Sequence, residues 1–347
     1  EYDDGSSGYA GRVYLFKGSS LLGGTDELAA DADAIFTGEG SNHLLGYTVA
    51  GAGNVNASGG TDILMGAYGA DSYAGKVYLF YGGSGFTGEI SMTSASVVFE
   101  GTVSSSERAG RAIAGAGDID GDGYDDIMIS APYNADVASS SGKVYIFYGG
   151  LIAGTLNVAD ADLSFTGEAS SNYAGMAIAG GQDVNADGVE DLVIGAYGYD
   201  SNTGRVYIIY GSQTRVEGDF SVDTADVIIN GETTSTFTGR SITLLPDMDG
   251  DSVGEILIGA YRYNSGAGKV YYIQGSDSFD TEITLADDTV DGTLIGDAAG
   301  DSAGYALSNA GDVNGDGLVD LIIGAYGVDD SDSSANDIGM VYLLMQE

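Results

Sequence analysis

Between residues 118 and 126 the chain reads Asp118-Ile-Asp120-Gly-Asp122-Gly-Tyr124-Asp-Asp126, with carboxylates at positions 1, 3, 5 and 9 of the stretch. The alternation points successive carboxylates inward around one centre, position 7 adds the carbonyl of Tyr124, and glycines at positions 4 and 6 permit the sharp turn. Such a set suits a hard cation, calcium above all, which takes about six to eight oxygen ligands. The pattern recurs as Asp183, Asn185, Asp187, Val189 and Asp191, then as Asp247, Asp249, Asp251, Val253 and Glu255, then as Asp312, Asn314, Asp316, Leu318 and Asp320. The third of these copies departs from the pattern, with Ser252 where a glycine is wanted and a longer closing acid in Glu255. A fifth copy, Asn54, Asn56, Ser58, Gly60 and Asp62, keeps oxygen at positions 1, 3, 5 and 9 but only one formal charge, which implies low affinity or a different occupant. The expectation is four calcium sites and a weaker fifth. The competing reading is a set of acidic turns solvated at the surface, as Asp-Gly pairs often are. Clustering carboxylates costs repulsion that a cation relieves, and doing so repeatedly at one point of a repeat favours ions.

The elements that position these loops are themselves periodic. Gly-Lys/Arg-Val-Tyr followed by apolar residues occurs at residues 11–16, 75–80, 142–147, 204–209 and 268–273, with a variant at 339–344; the valines are 13, 77, 144, 206, 270 and 341. Between those copies lies a Gly-Ala-rich block that opens at Gly46, Gly110, Gly175, Gly239 or Gly304, each eight residues before position 1 of a loop. A period of this size specifies architecture before any local assignment does. Each unit reads as four strands: the Gly-Ala segment, whose small side chains let strands crowd around an axis; an Asp-Ile/Leu-x-Ile-Gly-Ala segment; the Val-Tyr segment; and a strand ending in an apolar-x-Gly signature such as residues 165–167. Helical periodicity is missing, which sets aside a parallel sheet with alternating helices.

The expected fold is therefore all-β, a β-propeller of four-stranded antiparallel blades with six repeat units visible and six or seven blades in the complete protein. The chain divides into a partial blade at 1–43, blades at 44–108, 109–172, 173–236 and 237–301, and a partial blade at 302–347, all in one propeller domain. It opens before a third strand and stops after another, so an imperfect ring is expected, with flanking sequence or another chain supplying the missing strands.

Composition agrees with this picture. Of 347 residues, 58 are glycine, 2 proline and 24 tyrosine, which suits short strands and tight turns. A formal net charge of -41 disfavours nucleic acid and anionic lipid surfaces as partners. Cysteine is absent, so neither disulfides nor thiolate chemistry is available. No apolar stretch is long enough for a membrane span, and Glu1 to Asp4 lack the basic and apolar regions of a signal peptide, as expected of a mature, processed or fragmentary chain.

The Phe-x-Gly signature, the acidic nonapeptide loop and the segment Ser130-Ala131-Pro132 are together similar to the FG-GAP repeat of integrin α-subunit head domains, and the resemblance covers essentially the whole chain. Elsewhere the segment is Gly-Ala-Tyr, at residues 66–68, 195–197, 259–261 and 324–326. The resemblance implies calcium in loops on one face and partner recognition on the other. Strand order puts the loops between second and third strands on that second face, where Tyr68, Tyr133, Tyr197, Tyr199, Tyr261, Tyr263 and Tyr326 cluster with Asp71, Asn134, Asp200 and Asn264. Tyrosine suits protein or glycan recognition, or simply packs between blades. His43 stands alone beside serine and is read as a solvated side chain; no nucleophile elbow, zinc cluster or phosphate loop is visible, so no catalytic residue is assigned. Arg12, Lys76, Lys143, Arg205 and Lys269, which precede Val-Tyr, are read as partners for neighbouring carboxylates. The resulting expectation is an extracellular, secreted or cell-surface calcium-binding module for adhesion or for protein or glycan binding, and not an enzyme. A structural subunit of an extracellular assembly and a propeller enzyme acting on surface glycans or lipids are the alternatives.

Overall fold

A computed structural model describes residues 8–17, 29–83, 85–103, 105–285, 290–329 and 338–345. They form six sheets, blades of a β-propeller, arranged so that the first strands of successive blades lie against one another. In the second sheet the strands run outward from the axis as Thr48–Gly53, Asp62–Ala67, Lys76–Phe80 and Val97–Glu100, each antiparallel to the last. The third, fourth and fifth sheets repeat that order, starting at Ile113–Gly117, Ala177–Gln182 and Ser241–Leu245. The first sheet holds Arg12–Leu15 and Ala34–Thr37, and the sixth Ala303–Gly311, Asp320–Ala325 and Met340–Leu344.

Small residues let the innermost strands approach. A Cβ on Gly180 would lie 2.9 Å from the Cα of Ala116 in the neighbouring blade, and one on Gly195, in a second strand, only 2.2 Å from the carbonyl oxygen of Gly239 just before the next blade's first strand. Larger side chains fill the space between blades. Leu64, Val77, Val97 and Phe99 of the second sheet pack on Ile127, Ile129, Tyr145 and Phe147 of the third, with the rings of Phe99 and Phe147 4.6 Å apart. In the next gap Ile209 stands where Phe80 and Phe147 stand, and a cavity of about 390 Å³ opens among Ile209, Phe165, Phe220, Tyr148 and Val216.

The four antiparallel strands per blade stand as expected, and the structure adds a fifth. Gly88–Ser91 pairs in parallel with Ala34–Thr37 of the preceding blade, Gly154–Asn157 with Val97–Glu100, Gly218–Ser221 with Leu163–Thr166, and Glu282–Thr284 with Val227–Asn230. Each of these segments follows the third strand of one repeat and covers the open edge of the repeat before it, where unpaired backbone groups would otherwise face solvent. Tyrosine hydroxyls brace the crossing: Tyr81 Oη donates to the Ile152 carbonyl and Tyr148 Oη to that of Val216, both at 2.5 Å.

Glutamates link neighbouring repeats as well. Tyr78, Tyr145, Tyr207 and Tyr271, all buried, donate to Glu39, Glu107, Glu168 and Glu232 of the preceding repeat at 3.1, 2.9, 2.5 and 2.7 Å. Burial and the adjacent carboxylate push these phenols far above their ordinary range, so they are permanent donors. Two of the bases before Val-Tyr join the same links. Arg205 meets Glu168 at 3.0 Å and Lys269 meets Glu232 at 2.6 Å, while Lys76 pairs with Asp71 and Glu100, and Lys143 with Asp136 and Asp219. Burial alone would raise Glu232, but Lys269 and Tyr271 hold its carboxyl below the usual range.

Candidate metal centres and the opposite face

Each acidic nonapeptide is the hairpin between the first and second strands of a blade, and backbone N–H groups fix its side chains in one recurring pattern. The acid at position 9 opens the second strand. Asp62, Asp126, Asp191 and Asp320 are fully buried and Glu255 is 1% exposed. Each accepts the N–H of position 2: from Val55, Ile119, Val184, Met248 and Val313 at 2.8 to 3.0 Å. In Asp62, Asp126 and Asp191 the other oxygen accepts from Gly82, Gly149 and Gly211, just past the third strand. Position 9 therefore pins the hairpin to the body of its blade, a role that the spacing alone did not reveal.

The remaining positions are held by the turn itself. At position 1, Asp118, Asp183, Asp247 and Asp312 accept from the N–H of position 6, at Gly123, Gly188, Ser252 and Gly317. At position 3, Asp120, Asn185, Asp249 and Asn314 accept from position 5, and at position 5, Asp122, Asp187, Asp251 and Asp316 accept from Tyr124, Val189, Val253 and Leu318. In the Asp118 and Asp247 loops these contacts engage Oδ1 and leave Oδ2 of positions 3 and 5 outside the turn's own bonding. The Asn54 loop follows suit in part, with Asn56 accepting from Ser58 at 2.9 Å and Asn54 from Gly59 at 3.3 Å. Its entry is capped from the next repeat by Asp125, which accepts the Asn54 N–H. In this loop Gly60 is approached by the backbone of Gly82 and Gly83.

Two loops bring three carboxylates together: ligand atoms of Asp118, Asp120 and Asp126, and of Asp247, Asp249 and Asp251, lie within 4.8 Å of one another. In the Asp183 and Asp312 loops the Asn185 and Asn314 amides instead donate to Asp187 and Asp316, at 3.1 and 2.7 Å. Burial, against two backbone hydrogen bonds and with help from neighbouring aspartates, pushes Asp126 up to about 8 and Asp191 up to about 7. Burial likewise takes Glu255 to about 7 and raises Asp62. Backbone donors from Gly250 and Ser252 lower Asp247. A cation fits this donor set. The clearest sign is Glu255 Oε2, buried and without a hydrogen-bond partner, at the floor of the loop that holds Asp247, Asp249 and Asp251.

The loops between second and third strands lie at the opposite end of each blade. There the rings of Tyr133, Tyr173, Tyr197, Phe237, Tyr261, Tyr305 and Tyr326 form one chain with centroid spacings of 4.6 to 5.6 Å; Tyr173 and Tyr197 are stacked. Tyr47, Tyr68 and Tyr73 form a second group. Arg108 joins the two, 5.3 Å from the Tyr73 ring and 3.9 Å from that of Tyr133. Tyr199 and Tyr263 instead cover Arg205 and Lys269. The aromatics at 47, 173, 237 and 305 were not singled out from the sequence, although each lies within two residues of an opening glycine, a regularity that was there to be read. Asp71, Asp200 and Asn264 each begin a run of left-handed residues, with φ of 48°, 38° and 48°, whereas Asn134 donates to Glu107 and Tyr145. His43 is half-buried, its Nδ1 is shielded without a hydrogen-bond partner, and its Nε2 edge lies against Gly40. The expectation of a solvated ring is thereby corrected.

The comparisons with known proteins agree with this geometry. The sequence profile of the FG-GAP repeat matches residues 109–147, 174–209 and 303–344, stretches that contain three of the acidic loops. The chain is 29% identical over 226 residues to integrin alpha-PS2 of Drosophila melanogaster, covering 61% of this chain and 15% of that protein. Integrin alpha-V of Gallus gallus is 29% identical over 219 residues, 61% of this chain and 20% of its own length, and integrin alpha-IIb of Homo sapiens is 33% identical over 225 residues, 57% and 20%. The chain thus spans at most about a fifth of the length of these curated relatives. Among the described residues no helix is long and apolar enough to cross a membrane. On its repeats, its blades and these similarities, the chain is an integrin-α-like FG-GAP repeat protein.

Proposed function

We propose that this propeller is an extracellular binding module, used in adhesion or in recognition of a protein or glycan, whose blades are fixed by calcium in the acidic hairpins. Under this reading Asp118, Asp183, Asp247 and Asp312, with the acids and amides that follow them, would hold the ions. The carbonyls of Tyr124, Val189, Val253 and Leu318 would complete each set, and the Asn54 loop would bind more weakly. Calcium would supply charge neutralisation and nothing reactive. An extracellular setting suits loops of this kind, since calcium is abundant there.

The observation that carries the ligand-binding half is the aromatic arc. Seven rings in mutual contact, each half-buried except Tyr326, which is 47% exposed, form an amphipathic strip on the face away from the acidic loops. Such a strip offers flat apolar area at low entropic cost together with hydroxyl donors, which is the composition of recognition surfaces.

Binding of the protein in calcium to an array of glycans and surface-protein extracts tests the proposal. The Tyr197→Ala variant should lose a captured ligand at least about tenfold, as for an aromatic at the centre of an interface, while melting with the wild type's calcium dependence. Undiminished capture by a folded Tyr197→Ala variant would move recognition off this face.

A further inference from the structure

The Asp118 loop differs from the others in what already sits on it. Arg215, from the following repeat, places Nε 2.7 Å from Asp120 Oδ2 and Nη2 3.2 Å from Asp122 Oδ2. These are the oxygens that the turn leaves unused, because Oδ1 of Asp120 accepts from Asp122 and Oδ1 of Asp122 accepts from Tyr124. The guanidinium lies 4.3 Å from the centre of the Tyr148 ring, and the hydroxyl of Tyr148 holds the next residue's carbonyl. Arg215 is thus braced from two sides, and Asp120 beneath it is 5% exposed.

Its effect on the loop is visible by comparison. In the Asp247 loop the position 5 acid, Asp251, belongs to the converging trio. In the Asp118 loop the trio is Asp118, Asp120 and Asp126, and Asp122 reaches to Arg215 instead. Elsewhere the corresponding contacts are neutral: Gln274 donates to Asp249 at 2.5 Å, and Asn185 and Asn314 donate to Asp187 and Asp316. The segments equivalent to 211–216, residues 82–87, 149–153 and 275–280, contain no basic residue.

We infer that Arg215 is a built-in cation for the Asp118 loop, competing with calcium for Asp120 and Asp122, so that the loop whose sequence is richest in carboxylates is a weak calcium site. The inference rests on the calcium reading proposed above. A fixed guanidinium satisfies two carboxylates by charge-assisted hydrogen bonds, and a divalent ion has to break both before it can take the same oxygens. This loop therefore keeps its shape at calcium concentrations that leave the others empty.

Calorimetric titration of the calcium-stripped protein with calcium chloride, beside thermal melts in chelator and in calcium, decides the matter for wild type, Arg215→Met and Asp249→Ala. Arg215→Met should tighten one site by about tenfold or more, the size of an ordinary coupling. It should melt below wild type in chelator, where the loop's charges lose their partner, and close to wild type in saturating calcium. Asp249→Ala should remove a different site and leave the rest unchanged. An Arg215→Met isotherm equal to or weaker than wild type, with the Asp249→Ala loss still observed, overturns the competition and leaves the calcium reading standing. No calcium-dependent heat or melting shift in any of the three proteins overturns both.

Discussion

A carboxylate buried under a hairpin is an uncomfortable group until something positive arrives. Asp126, Asp191 and Glu255 show this in their acidity: burial takes them to about 8, 7 and 7, against ordinary values of 3.8, 3.8 and 4.5. In the metal-free protein their folded pKa exceeds the unfolded one, so their contribution to stability is complete below about pH 4 and is lost as pH rises through 7 to 8. Melting temperature in excess chelator should therefore fall between pH 5 and 8.5. In saturating calcium, which selects the ionised form, the fall should vanish or reverse. Parallel slopes in the two buffers would dissociate these acids from the ion. Much at this scale was legible, since alternation of oxygen side chains with glycine marks a tight acidic turn without a structure. What was not legible was the division of labour inside it. Position 9 anchors the hairpin through two N–H groups 7 and 20 to 23 residues away, and nothing in a nonapeptide names Gly149 or Gly211 as its partners.

At the scale of the strand, the four antiparallel members of each blade were readable because three carry β-branched or aromatic residues in a run and the first recurs as a block of small residues. The parallel fifth strand was not. Its copies, Gly88–Ser91, Gly154–Asn157, Gly218–Ser221 and Glu282–Thr284, hold one large apolar residue apiece, and their pairing is set by tertiary placement. The Tyr–Glu links were hidden for a similar reason: their members stand 38 or 39 residues apart, on different blades. Packing between sheets carries its own prediction. The cavity of about 390 Å³ is lined by residue 209, an isoleucine where two other third strands end in phenylalanine. Ile209→Phe should fill part of it and stabilise the protein by about 0.5–2 kcal/mol, the usual range for cavity filling, read by chemical denaturation. A loss of stability would mean that Phe165 and Phe220 cannot make room.

For the molecule as a whole, 52 acids against 11 bases set a strong self-repulsion that the fold has to tolerate. Without disulfides, the calcium proposed for the hairpins would be the staple. Each site at a hundredfold excess of calcium over its dissociation constant adds about 2.7 kcal/mol. Three such sites should move the melting temperature by on the order of 10 °C between chelator and calcium. A shift of under about 2 °C would leave the loops as acidic turns without an energetic role.

The outer parallel strand changes what counts as one unit of this protein. Because Gly154–Asn157 hems the sheet that begins at Thr48, and Gly218–Ser221 the sheet that begins at Ile113, the repeat in the sequence and the sheet in space are offset by one strand. A single repeat excised at its sequence boundaries would carry away its neighbour's border and leave its own behind. The smallest autonomous piece is a run of consecutive repeats, and duplication or loss of a blade has to splice inside sheets instead of between them.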